Sequence, residues 1–567
     1  MKKLLSVILC LSLLLGYAVM TVSAQEEKLT IDVAADLHLD QESFGDLSAP
    51  GGETAEGFDH VAKSGHLYRE SKEIITAFLE KASKDDSKAI LIAGDLTDTG
   101  LKTEMETLAG MFSKFEEQTG KQIYVVPGNH DVTKTDAFEF AKYFADFGYN
   151  EAIAKDSNST SYVADLPDNY RLIAIDSTGH KQGGACIDSA RLEWIRQQAE
   201  KAQQEGKKTI AMLHHNVLPH LVMIDIVHPT AVVDKSLGLK DMFAKYGVKY
   251  IFTGHTHEND IASYTAENGE VIYDVETGSM CLYPSVYRTV SLGEKVEIKT
   301  NRIESINVAG VPKKGVSKEA LALMENNFTE YTKRCAYIGI ETTLNSNFLN
   351  DSFIKNLIKL DSEADPEMSA LLDELIPKLK EALNMPFYAK DEAEEGKSIE
   401  SVLKAYNVTI PKSNYENMVN LAVEIYEEHV VGDENKQAFS NEVVLASKGI
   451  GAVLAYTLSD VSAEEYTMAL TYVCKLVGAD VVPADLLALA SDHIKRFDGI
   501  ELVVSTAILP LILKVTVDEA PGDCNVTLPG YAELVEAPEA EKTFWEKVQD
   551  FFIKIFTAIM SIFAFMY

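Results

Sequence analysis

Five short apolar runs in the first half of this chain end the same way, in a tight turn that presents Asp, Asn or His. Residues 29–35 lead into Asp36-Leu37-His38, residues 89–93 into Gly94-Asp95-Leu96-Thr97-Asp98, and residues 123–126 into Pro127-Gly128-Asn129-His130-Asp131. Residues 209–213 lead into His214-His215-Asn216, and residues 250–253 into Gly254-His255-Thr256-His257. A short apolar run closed by turn residues predicts a buried strand, and Gly lets the chain turn sharply as it leaves one. Helical spacing separates the runs, over 68–79, 108–115, 137–147 and 190–202. Strand, polar turn and helix, repeated, predict an α/β architecture with the polar residues on one rim, at the carboxyl ends of the strands. Residues 172–175, ending at Asp176-Ser177, predict a further strand. Residues 271–274, 287–292 and 296–299 have β character with little helix between them, and complete a sheet or a two-sheet sandwich. Residues 39–66 carry Gly, Ser, Asp and Glu without periodicity and read as a long loop.

A lone DxH or HxH is more often a loop pair than a ligand set. Five such blocks behind five strands converge on metal chemistry, because Asp, Asn and His offer oxygen and nitrogen donors to one pocket. No thiolate accompanies them, which suits Mn²⁺, Fe or Zn²⁺. Beyond residue 24 the cysteines are Cys186, Cys281, Cys335, Cys474 and Cys524, scattered and odd in number, so neither a disulfide framework nor a CxxC zinc site is written here.

The array resembles the calcineurin-like metallophosphoesterase superfamily, whose signature is DxH, GDxxD, GNHD/E, a strand-terminal His and GHxH. All five blocks are intact, and the resemblance covers roughly residues 28 to 300. The segment between the first two blocks is longer than the family minimum and is expected to shape substrate access. The resemblance implies a metallophosphoesterase-type β-sandwich flanked by helices and a binuclear metal centre. Asp36, His38 and His257 would hold one ion, and Asn129, His214 and His255 the other, with Asp95 bridging. In the family register His214 rather than His215 is the ligand. His130 would stabilise the transition state or protonate the leaving oxygen, with Asp131 and Asp98 orienting it and the ligand loops. The implied reaction is hydrolysis of a phosphate ester by a hydroxide held between the metals. A phosphodiester, small or a lipid headgroup, is expected ahead of a phosphomonoester. Among the remaining histidines, His220 and His228 follow the strand over 209–213 and are expected to overhang the site and contact substrate. His60, His66 and His180 are expected on the surface or in loops.

The balance of 52 basic against 87 acidic residues gives a formal net charge of −35. Such a field repels polyanions, so no nucleic-acid partner is expected, and the substrate is expected to be a small phosphate ester. Lys2 and Lys3, an apolar stretch to Met20 and Val22-Ser23-Ala24 read as a signal peptide over 1–24, which predicts a secreted protein, at the cell surface or free. A catalytic domain over 25–310 is then followed by an all-α C-terminal domain over 311–540. Its helical spacing recurs over 317–335, 352–360, 368–383, 413–429, 439–458, 463–477 and 486–494. The tail, 541–567, is amphipathic, and its charge-free end from Ile555 to Tyr567 is shorter than the ~20 residues that span a bilayer. It is expected to lie in a membrane interface or to dock on a partner or on the helical domain.

Overall fold

A computed structural model describes residues 28–40, 65–179, 184–220, 230–233, 237–313, 316–343, 365–389, 397–432, 440–476 and 522–531, with shorter pieces between 497 and 514. The expected signal segment, most of the loop 39–66, the helices expected over 352–360 and 486–494, and the tail 541–567 lie outside the described residues.

The first ligand-bearing strands are β1 (Leu29–Ala34), β2 (Ala89–Ile92) and β3 (Gln122–Val125), joined through α1 (Ser71–Ala82) and α2 (Lys102–Thr119). After α3 (Ala137–Tyr143) come β4 (Ala154–Lys155), β5 (Tyr162–Asp165) and β6 (Tyr170–Ala174), then α4 (Ser189–Gln204) and β7 (Lys208–Met212). The chain continues through α5 (Leu239–Tyr246), β8 (Val248–Thr253), β9 (Ile261–Thr265), β10 (Val271–Glu276), β11 (Val286–Leu292) and β12 (Lys295–Arg302). The helical part contains α6 (Lys318–Asn326), α7 (Phe328–Thr343), α8 (Pro366–Leu383), α9 (Ile399–Lys404), α10 (Met418–Val431), α11 (Asn441–Thr457), α12 (Ala463–Leu476) and α13 (Leu509–Lys514), and β13 (Asn525–Pro529) follows.

Two sheets form, in the orders β13-β12-β11-β1-β2-β3 and β4-β5-β6-β7-β8-β10-β9. Strands β1, β2 and β3 are parallel, as are β6, β7 and β8, so each set delivers its carboxyl ends to one edge. The period-two alternation of a strand decides the layering. Val33, Leu91 and Val125 from one sheet share a core with Leu172, Ile210 and Phe252 from the other. The alternate residues Ile173, Ala211 and Ile251 turn outward, against Ile195 of α4 and Phe243 of α5. This is a β-sandwich flanked by helices. Burying each Leu, Ile or Phe contributes about 1.5–3 kcal/mol, which is what fixes the strand ends in register.

The C-terminal part is helical with its own core, in which Phe387, Leu403, Leu421, Tyr426 and Leu445 meet. Two departures from the expected all-helical segment stand out. The helix expected over 317–335 is two helices, because the Asn327 side chain accepts from Glu330 N at 3.1 Å and caps a new start. Residues 525–529 are a strand: β13 pairs antiparallel with β12, with Leu528 buried in the core between the two sheets. The chain therefore returns from its helical part to close the first sheet. Among the described residues no helix is long and apolar enough to cross a membrane.

Candidate metal centre

The five turns meet where the two sheets abut. Asp36 N donates to Gly94 O at 3.1 Å and His38 N to Asp95 O at 3.0 Å, which locks the first turn to the second. His130 N donates to Asp95 Oδ1 at 2.8 Å, and His255 N to Asp36 Oδ2 at 3.0 Å, so these carboxylates also brace the third and fifth turns. Two glycines are required by close approach. A Cβ on Gly128 would lie 2.1 Å from Asp95 Oδ1, and one on Gly254 2.3 Å from Asp36 Oδ2. Asp36, His38, Asp95, His255 and His257 all have positive φ, a strained conformation for residues with side chains. Such strain persists only where the surroundings impose it, and it gathers at functional sites.

The side chains converge. Asp95 Oδ2 lies 3.1 Å from His214 Nε2, which is 2.9 Å from Asn129 Oδ1. Asp36 Oδ1 lies 3.2 Å from His257 Nε2, which is 3.3 Å from His38 Nε2. Donor atoms of Asp95, His214 and His255 fall within 4.8 Å of one another, as do those of His38, Asp95 and His130. All seven expected ligands, Asp36, His38, Asp95, Asn129, His214, His255 and His257, thus stand in one cluster with Asp95 between its halves. Of the adjacent pair, His214 points inward and its Nδ1–H donates to Ala93 O at 2.9 Å. His215 is buried beside it, with Nδ1 2.9 Å from Ser177 Oγ.

The donors fit a pair of divalent cations. Asp36 Oδ1 is buried, accepts no hydrogen bond, and faces imidazole nitrogens. Burial opposes the charge of Asp95, yet His214, His130 and His38 hold its carboxyl well below the usual range. Burial, with the neighbouring imidazoles His215 and His214, pushes His255 well below the ordinary histidine value, toward the neutral form that binds metal.

His130 is different. Burial works against its cation, but Asp95 and Asp98 overcome this and raise it to about 10. Its Nδ1–H donates to Asp98 O at 2.7 Å, which leaves Nε2 for the cleft. Asp98 Oδ1 lies 3.2 Å from His38 Nδ1 and 3.4 Å from His130 Nδ1, so one carboxylate orients a ligand and the catalytic candidate together. Asp131 lies wholly within the protein. It accepts from Leu96 N, Thr97 N, Thr97 Oγ1 and Gly128 N at 2.7–3.1 Å, tying the second turn to the third. Asp131 is therefore a positioning residue, out of reach of the cleft.

Behind the fifth turn, Thr256 N and Thr256 Oγ1 donate to Glu276 at 2.9 and 2.8 Å, fixing the backbone between His255 and His257. His220 does not overhang the site as expected. It is buried, with Nδ1 2.5 Å from Asp260 Oδ2 and Nε2 3.5 Å from Asp274 Oδ2, because these carboxylates offer it a better partner than solvent does. His66, expected on the surface or in a loop, lies in a loop but is only 2% exposed and packs against the cluster. Its only sequence signal is the Gly65 before it. His60, His180 and His228 lie outside the described residues.

Residues 29–259 match the family model described as calcineurin-like phosphoesterase. A protein of Rhodococcus erythropolis named as a probable cyclic nucleotide phosphodiesterase is 26% identical over 213 residues, 36% of this chain and 64% of that one. A probable glycerophosphodiester phosphodiesterase of Arcobacter nitrofigilis is 28% identical over 174 residues, 30% of this chain and 56% of that one. The match thus spans less than two thirds of either relative. Among solved structures, a dimetal phosphatase from Danio rerio aligns with TM-score 0.36 and 11% identity, over 48% of this chain and 96% of its own.

Proposed function

We propose, from the premise that residues 29–259 belong to the calcineurin-like phosphoesterase family, that this chain is a metal-dependent phosphoester hydrolase acting on small phosphodiesters. The observation that carries the reading is the meeting of seven donors from five strand ends around Asp95, with His130 beside them. Asp36, His38, His257 and Asp95 would hold one cation, and Asn129, His214, His255 and Asp95 the other. Bound there, two divalent cations supply Lewis acidity that activates water and offsets phosphate charge.

The chain's own residues do the rest. Asp95 presents its two oxygens to different neighbours, Oδ1 to His130 N and Oδ2 to His214, as a bridge must. In its protonated form His130 presents an Nε2–H that meets charge building on the phosphate and can pass a proton to the leaving oxygen. Asp98 fixes the ring that does this. Asn129, His130 and His255 are the half-buried members, so substrate enters from their side.

The diester preference draws support from the two relatives' names. Secretion draws support from the sequence of residues 1–24, and N-terminal sequencing of exported protein is expected to begin at Gln25. The test of substrate class compares bis-p-nitrophenyl phosphate with p-nitrophenyl phosphate after reloading with Mn²⁺ or Zn²⁺. Faster cleavage of the diester is expected; faster cleavage of the monoester overturns the diester reading.

A further inference from the structure

His66 has no place in the five motifs, yet it occupies the closed end of the centre. Its ring edge faces His38 at a centroid distance of 5.5 Å and His257 at 6.0 Å. A donor atom from each of His38, His66 and His257 falls within 4.8 Å of the others. Around an ion with bonds of about 2.1 Å, ligand atoms stand about 3 to 4.2 Å apart, so a small inward shift of the three rings meets that geometry. We propose that His66 is an additional protein ligand to the cation held by Asp36, His38, His257 and Asp95. This rests on the two-cation reading above.

The placement of His66 is built, not incidental. Gly65, at φ 82°, turns the chain so that His66 points inward. Gly94, at φ 87°, stands before Asp95 in the same way. Tyr68 stacks flat on the His66 ring, with centroids 4.6 Å apart and planes within 9°, which fixes the plane of the imidazole. The backbone that follows His66 is tied down. Leu67 N donates to Cys281 O at 2.8 Å, and Asp40 N donates to Ser71 Oγ at 3.2 Å. From the helical part, Tyr331 Oη donates to Glu70 Oε1 at 2.8 Å. A ligand stacked on Tyr68 and followed by anchored backbone keeps its position when the ion leaves, the preorganisation a tight site needs.

The consequence is an asymmetric pair. The cation on the His38 side would be held by five buried side chains, Asp36, His38, His66, Asp95 and His257. The cation on the His255 side has four and faces the cleft mouth, where Asn129, His130 and His255 are half-buried. The closed site is then the tighter of the two, and the open one is where substrate exchanges.

The alternative is that His66 only packs against Tyr68. His66→Phe separates the two readings, because it keeps an aromatic ring for the stack and removes the donor nitrogen. The chelator-stripped full chain is titrated calorimetrically with Mn²⁺ alone, and bound metal is counted by mass spectrometry. His66→Phe is expected to weaken one of two binding events by about 10–100-fold and to leave the other unchanged. His257→Ala is expected to weaken that same event, and Asn129→Ala the other one. His66→Asp, which loses the stack but keeps a donor, is expected to bind better than His66→Phe. Both events within twofold of wild type in His66→Phe overturn the proposal. A crystal structure of the unsubstituted chain with Zn²⁺ tests it without any variant. A His66 ring nitrogen at about 2.1 Å from the ion supports the assignment, and one beyond about 3 Å, with both ions present, overturns it. Failure of the wild type to bind two ions is a different result, and contradicts the two-cation reading instead.

Discussion

His429, on α10 of the helical part, places its Nε2 3.8 Å from Oε1 of Glu258, the residue that follows the His255–His257 pair. Glu258 is fully buried and also takes the Thr256 hydroxyl at 3.0 Å. Next to it, Asn259 N donates to Val430 O at 3.3 Å, and Asn259 Nδ2 to Val431 O at 3.2 Å. The end of α10 therefore braces the turn that carries two of the candidate ligands. Together with β13, this ties the helical part to the two-sheet sandwich.

His429→Ala takes an imidazole away from a buried carboxylate. Burial already pushes Glu258 up to about 7, and His429 is the neighbour that works hardest against this. The variant is expected to lose about 1–3 kcal/mol of stability and about tenfold in Mn²⁺ affinity. Thermal unfolding and calorimetric titration check the two effects, and unchanged metal binding contradicts the bracing role.

Asp131→Ala removes the carboxylate that joins the second and third turns through four hydrogen bonds. Hydrolysis is expected to fall by about 100-fold and metal affinity by about 10–100-fold, although Asp131 meets neither substrate nor ion. Activity within threefold of wild type contradicts this.

Gly128→Ala forces a methyl group into Asp95 Oδ1. Neither the backbone nor a bridging carboxylate can yield, so a loss of about 3 kcal/mol or more is expected. Thermal unfolding of the metal-free protein measures it. A loss below about 1 kcal/mol shows that Asp95 has room to move.

Asp32, buried on β1, gives a pH dependence distinct from that of the site. Burial, and Asp85 beside it, push its carboxyl up to about 7 from an ordinary 3.8. Between those values the folded protein holds a proton that the unfolded chain has released. Stability therefore falls as pH rises from about 4 to 7 and levels off above, by up to about 4 kcal/mol. Asp32→Asn is expected to flatten this slope in denaturant titrations of chelated protein. An unchanged slope contradicts the assignment.

The ligand turns were legible because each is local. An apolar strand and the polar residues that end it, three of the five behind a glycine, reveal where a side chain goes within six to ten positions, and parallel strands bring five such ends together. His66 was not legible, since one histidine behind one glycine in an aperiodic stretch carries no period to place it. It packs against Tyr68, His38 and His257, the last 191 residues away in the chain. Strand β13 failed for the same reason. Its partner β12 lies more than 220 residues earlier, and Val526 and Leu528 alone are too short an alternation. His220 was misplaced because its carboxylate partners, Asp260 and Asp274, follow 40 and 54 residues later in the chain.

The decisive measurement is hydrolysis of bis-p-nitrophenyl phosphate by the chelator-stripped chain as Mn²⁺ is added back, beside Asp95→Asn. Activity that is absent without metal, rises to a plateau at two equivalents and falls at least about 100-fold in Asp95→Asn is the predicted result. Hydrolysis that survives chelation, or an Asp95→Asn variant as active as wild type, contradicts a bridged two-cation centre.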